Sequence, residues 1–187
     1  MGPFPLAEAA PSGDRSLRKP IRREGPQTAA PDGRIRRIGV RAARAGSLAC
    51  VRAPAFPKSY ENRAVAVALD RLVENPGEET LAALLEAALH GGLTVDVTGS
   101  PSPRELRLRT LQTTDGRQVL PLFTSMKELQ ATADAAGLGG TKVNGIIVPG
   151  REALGFIATA DFVAVQFNPR IPGGVVAREH VERALGS

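Results

Sequence analysis

The hydrophobic positions of this chain become periodic only from about residue 59 onward. Val65, Leu69, Leu72 and Val73 stand at i, i+4, i+7 and i+8, the pattern of an amphipathic helix to about Glu74, with Ser59 as its candidate cap. Asn75-Pro76-Gly77-Glu78 then restarts the chain. Asn75 can cap, Pro76 suits a first helical position, and Glu78 completes a capping box. Leu81, Leu84, Leu85, Ala88 and Leu89 form the stripe of this second helix. His90 falls in its last turn and Gly91 just past its end, which is stop chemistry.

The period then changes from 3.6 to 2. Leu93, Val95 and Val97 alternate with Thr94, Asp96 and Thr98, which predicts a half-buried strand. Leu106, Leu108 and Thr110 alternate with Arg107 and Arg109, so this next strand has a wet, basic face. Asp115-Gly116 favours a hairpin turn. The segment Arg117–Leu129 follows, a strand running straight into a helix. Val119, Leu120, Leu122 and Phe123 are the strand, and Ser125 with Glu128 has the spacing of a capping box. Leu122 and Phe123, adjacent and both apolar, imply a sheet covered on both faces.

The helix from Met126 ends at Gly137. Gly137-Leu138-Gly139-Gly140 reads as a helix-to-strand loop, since Lys142 and a following strand do not suit a phosphate loop. Ile146-Ile147-Val148 reads as a buried strand, Ala153 to Ile157 as a helix, Phe162–Phe167 as a strand ended by Asn168-Pro169, and Gly173–Val176 as a short return strand. A helix from Arg178 to Leu185 closes the order α, α, β, β, β, α, β, α, β, β, α. That order predicts an α/β (α+β) fold: a mixed β-sheet of about five to six strands, with a central hairpin and helices packed on it.

Charge divides the chain. Residues 1–60 hold 12 Lys+Arg against 4 Asp+Glu, net +8, whereas 61–187 are net −3. Residues 1–58 also hold eight of the fifteen prolines and show no sustained period. We read 1–58 as a disordered basic Pro/Arg-rich leader and 59–187 as one α/β domain. The leader offers weak nucleic-acid association through phosphates, but no aromatics interleave with its arginines to stack on bases.

Cys50 is the single cysteine, so no internal disulfide and no cysteine metal cluster can form. Gly46–Cys50 is similar to a lipoprotein cleavage site, but Arg41 and Arg44 interrupt the apolar core that export requires. No run has the length of a transmembrane helix, and the reading is cytoplasmic without a membrane partner. His90 and His180 have no ligand-like partner at i+3 or i+4, and no serine stands in a G-x-S-x-G context. We therefore assign no catalytic residue, metal or cofactor.

One binding edge is conditional on topology. Strands 118–123, 143–148 and 162–167 end in Phe123-Thr124, Pro149-Gly150 and Asn168-Pro169. If the three run parallel, those turns share the sheet edge where α/β proteins bind ligands. The plain alternative is ordinary caps and turns.

Four segments in succession carry a family resemblance: Leu120–Ser125, Gly145–Gly150, Phe167-Asn168-Pro169, and the closing unit from Val175 into the last helix. Across about residues 61–186 they resemble the N-terminal domain of the SseB family, named for enhanced serine sensitivity. The resemblance implies a compact α/β domain, no established enzymatic activity and no known cofactor, and it supplies no catalytic residue. Residues 1–58 have no counterpart in it, and the second, C-terminal domain of longer relatives is missing. The resulting expectation is a non-catalytic interaction module whose partner is an unknown protein or small metabolite. The alternatives are a small-molecule-binding protein or enzyme at the strand edge, and nucleic-acid association through the leader.

Overall fold

The computed structural model describes Ala43–Arg44, residues 56–102 and residues 105–186. The expected disorder of the leader otherwise lies outside the described residues. Within the leader, β1 (Ala43–Arg44) pairs antiparallel with β3 (Arg107–Leu108). Phe56 packs its ring 4.7 Å from that of Tyr60.

Helices α1 (Arg63–Glu74) and α2 (Glu78–His90) pack against each other. The cap of α1 is Asn62, not Ser59: its Oδ1 accepts the Val65 N–H at 3.1 Å. Asn75 closes α1 rather than opening α2, donating its N–H to the Arg71 carbonyl at 2.9 Å. Pro76 therefore lies outside α2, whose N-cap is Gly77, and the Thr80 hydroxyl donates back to the Asn75 and Gly77 carbonyls. His90 and Gly91 end α2 as expected.

The remaining elements are β2 (Gly92–Asp96), β4 (Leu111–Gln112), β5 (Gln118–Phe123), α3 (Met126–Ala133), β6 (Gly145–Pro149), α4 (Gly150–Gly155), β7 (Phe162–Phe167), β8 (Val175–Ala177) and α5 (Arg178–Leu185). The main sheet has the order β6-β2-β5-β7-β8, with β4 paired beside β5. It is mixed: β5 and β7 are parallel, and the other pairs are antiparallel.

Strand β5 has two partners on one flank. β2 pairs with Leu122 and Phe123, and β4 pairs with Gln118 and Val119. The chain leaves that flank after Asp96, makes the excursion 97–108, and returns at Arg109, whose N–H donates to the Asp96 carbonyl at 2.9 Å. Pro121, which has no N–H to give a ladder, stands at this change of partner. The predicted wet strand is thus broken into two short ones. Arg107 pairs with Glu105 at 3.0 Å at the surface, but Arg109 is buried against Asp96.

The turn between β4 and β5 is the expected Asp115-Gly116 turn, with Gly116 at φ +83°. Asp115 accepts from the Thr113 hydroxyl and from Arg117 Nε, and these bonds hold its carboxyl below the usual aspartate value.

Alternation sorts the sheet into two faces. Leu93 and Val95 of β2, Val97 just past its end, Leu120 and Leu122 of β5, and Val165 and Phe167 of β7 join one core with α1, α2, α4 and α5. Phe123 points the other way, into a cluster with Leu129 and Ala133 of α3 and with Val143. Leu122 and Phe123 therefore do lie on opposite, covered faces. For the same reason β2 is buried along its whole length and is not half-buried as its alternation suggested. Conversely, β6 is an edge strand and mostly half-buried, although its Ile-Ile-Val run reads as buried. Each fully buried Leu, Ile, Val or Phe contributes about 1.5–3 kcal/mol.

A polar joint at the strand ends

The condition set by the sequence is met. β6 and β5 are each antiparallel to β2, and β7 is parallel to β5, so β5, β6 and β7 run the same way. Their C-terminal ends share one edge, together with the start of β2 at Gly92. Of the six candidate residues, Phe123, Thr124, Gly150 and Asn168 are buried, while Pro149 and Pro169 are half-buried.

Asn168 is the hinge pin of this edge. It has φ +40°, a left-handed backbone that Asn tolerates better than most residues. That turn sends its side chain across to β5. Its Oδ1 accepts the Thr124 N–H at 3.0 Å, its Nδ2 donates to the Thr124 hydroxyl at 3.0 Å, and its own N–H donates to the Leu122 carbonyl at 2.9 Å. Phe123 is reserved for the α3 cluster and does not face this joint.

The segment before α1 runs along the same edge. The Asn62 N–H donates to the Thr124 carbonyl at 2.8 Å, and the Asn62 Nδ2 donates to the Gly92 carbonyl at 3.0 Å. The Gly92 N–H donates to the Tyr60 hydroxyl at 3.0 Å. The Gly150 N–H donates to the Gly91 carbonyl at 2.6 Å, and a Cβ on Gly150 would lie 1.6 Å from the Ala88 carbonyl oxygen. Ser125 caps α3, its Oγ accepting the Glu128 N–H at 3.2 Å. The polar atoms of Asn62, Thr124 and Asn168 are thus turned onto neighbouring backbone and onto each other.

Two depressions formed by described residues lie elsewhere. An open one of about 630 Å³ sits at the opposite ends of the strands, between Phe162, Ala177 and Glu182. A smaller one of about 300 Å³ lies between α2 and α5, floored by Leu81, Leu85 and Leu89 and rimmed by His180 and Arg183. None of the six edge residues lines either. His180 stands 3.6 Å from the Glu179 carboxylate on α5, and His90 Nδ1 lies 2.8 Å from the Glu86 carbonyl, so both histidines are engaged within their own helices.

Sequence reading missed Asn62, Tyr60 and the Asp96–Arg109 pair. Asn62 had a signal, an N-cap residue type three positions before Val65. Asp96 had another, a lone carboxylate inside an apolar strand.

No helix of the described residues is long and apolar enough to cross a membrane. No curated protein and no solved structure matches the chain. The family model described as the SseB protein N-terminal domain matches residues 65–183, from α1 through α5 and including every strand end of the joint. With that match covering well over half of its length, the chain belongs to the SseB N-terminal domain family.

Proposed function

We propose that this domain is a non-catalytic interaction module and that the strand-end edge is a rigid support for its contact surface. The observation that carries this reading is the closed polar joint. Catalysis and polar ligand recognition need side-chain donors and acceptors aimed outward. Here Asn62 and Asn168 are aimed at backbone, and Asn168 and Thr124 at each other. The half-buried Pro149 and Pro169 are then left as the outward elements of the edge, each next in sequence to a buried residue, Gly150 and Asn168. Rigid surfaces bind with less ordering cost than mobile ones.

The test sets capture against turnover. The full chain is incubated with a cell extract, and the small-molecule content is followed by mass spectrometry while bound material is retained on immobilised protein. The proposal expects saturable, stoichiometric retention with no time-dependent change in the extract. Consumption of a compound in proportion to protein concentration would overturn it.

A further inference from the structure

We propose that the groove between α2 and α5 holds helix α1 of a second copy of this chain, and that the two copies exchange this contact about a two-fold axis. The groove is a cavity of about 300 Å³ with an apolar floor and charged walls. Its floor is Leu81, Leu85 and Leu89, a row at i, i+4 and i+8. The next row on α2 is Glu78, Ala82 and Glu86, with the same spacing, so this wall carries an exposed carboxylate at each end. The opposite wall is α5, which contributes the exposed Arg183.

The same chain carries a surface of matching spacing and opposite charge. Among the described residues Val67 is the most exposed large apolar side chain, at 50%. Arg63 and Arg71, both exposed, stand at i−4 and i+4 from it on α1. The row Arg63, Val67, Arg71 therefore has the length of the row Glu78, Ala82, Glu86, about 12 Å along the helix axis. Setting an i±4 row of one helix beside an i±4 row of another is the commonest way for helices to pack. With the rows side by side, Val67 comes over Ala82 and the leucine floor, and each arginine comes beside a glutamate whichever way α1 runs. Asp70, exposed at i+3 from Val67, lies on the flank away from Arg71 and faces the Arg183 wall.

Both surfaces lie on one side of the molecule. α1 and α2 bury Val65, Leu69, Leu84 and Ala88 in a single core on one sheet face, so their outer stripes point away from the sheet together. A two-fold rotation then seats α1 of each copy in the groove of the other, and every contact occurs twice. An unrelated helix or peptide in the groove leaves the row Arg63, Val67, Arg71 bare, whereas a second copy covers both surfaces. The contact uses the helical layer and does not depend on the reading of the strand-end edge.

The test is sedimentation equilibrium of the full chain, under reducing conditions so that Cys50 cannot cross-link two copies. The wild-type chain should dimerise reversibly, and the dimer should weaken as salt is raised. Arg63→Glu/Arg71→Glu places like charges at both contacts, and so does Glu78→Arg/Glu86→Arg. Each variant alone should dimerise about tenfold more weakly or worse. An equimolar mixture of the two variants sets unlike charges against each other at both contacts and should recover the wild-type dimer. All four positions are exposed, and mixing cannot repair a folding defect, so recovery reports the contact itself. Three results would each overturn the proposal: a wild-type chain that stays monomeric up to about 1 mM, leaving the groove to another partner; a dimer that both charge variants leave intact; or a mixture no tighter than either variant alone.

Discussion

Asp96 and Arg109 meet twice, backbone to backbone at 2.9 Å and side chain to side chain at 3.5 Å, and together they close the excursion of residues 97–108 onto the flank of β5. Both side chains are nearly dry, with 5% and 9% of their surfaces exposed. The pair joins the end of β2 to the approach to β4.

Breaking such a pair from one side leaves a buried charge. Asp96→Asn or Arg109→Met alone should cost about 3–5 kcal/mol in denaturant unfolding. The double variant Asp96→Leu/Arg109→Met should recover most of that loss, because it removes both desolvation penalties. Additive losses in the double variant would mean that the two side chains act independently.

Ser125 should behave as a cap and nothing more. Ser125→Ala removes the acceptor of the Glu128 N–H and should cost about 0.5–2 kcal/mol. Ser125→Asp should be tolerated, since aspartate also caps and favours the positive end of the helix. Thermal melts of both variants check this. An unchanged melting temperature in Ser125→Ala would show that the cap contributes nothing to α3.

Gly150 and Gly155 bound the same short helix but should respond oppositely to alanine. A Cβ at Gly150 meets the Ala88 carbonyl oxygen at 1.6 Å, so α2 and α4 must separate. The cost should be at least the 1–3 kcal/mol, roughly, of an overpacked core. A Cβ at Gly155 meets nothing within 4 Å, and its φ of −61° is helical. Gly155→Ala should therefore be neutral or stabilising by up to about 1 kcal/mol. Equal effects at the two positions would contradict the close approach of α4 to α2.

The features legible in the sequence are those decided within a few residues. The Ser125 cap, His90 and Gly91, and the Asp115-Gly116 turn each carry their own local chemistry and stand where the pattern put them, with Ser125 accepting the Glu128 N–H as the first half of the expected capping box. Leu122 and Phe123 revealed the two covered faces because two adjacent apolar residues on a strand cannot share one. What escaped was decided at a distance. Asn62 reaches Gly92 across 30 positions, Arg109 reaches Asp96 across 13, and Asn168 reaches Thr124 across 44. No local periodicity records such pairings. Strand β2 shows the same limit, since Thr94 and Asp96 look solvent-facing by type and are buried by tertiary packing. The sharing of one edge by three strand ends followed from strand direction, which the sequence posed only as a condition.

The central claim is that the polar side chains of the strand-end edge are committed to the fold. A double-mutant cycle on Thr124 and Asn168 in the full chain tests it most directly, with Thr124→Ala, Asn168→Gly and the double variant followed by denaturant unfolding. Glycine at 168 keeps the left-handed backbone accessible, so the cycle reports the side chains and not strain. The account predicts that each single variant destabilises and that the pair is coupled by about 0.5–3 kcal/mol. Single variants that leave stability unchanged, with effects additive within about 0.5 kcal/mol, would contradict it and return Thr124 and Asn168 to the role of free ligand-binding groups.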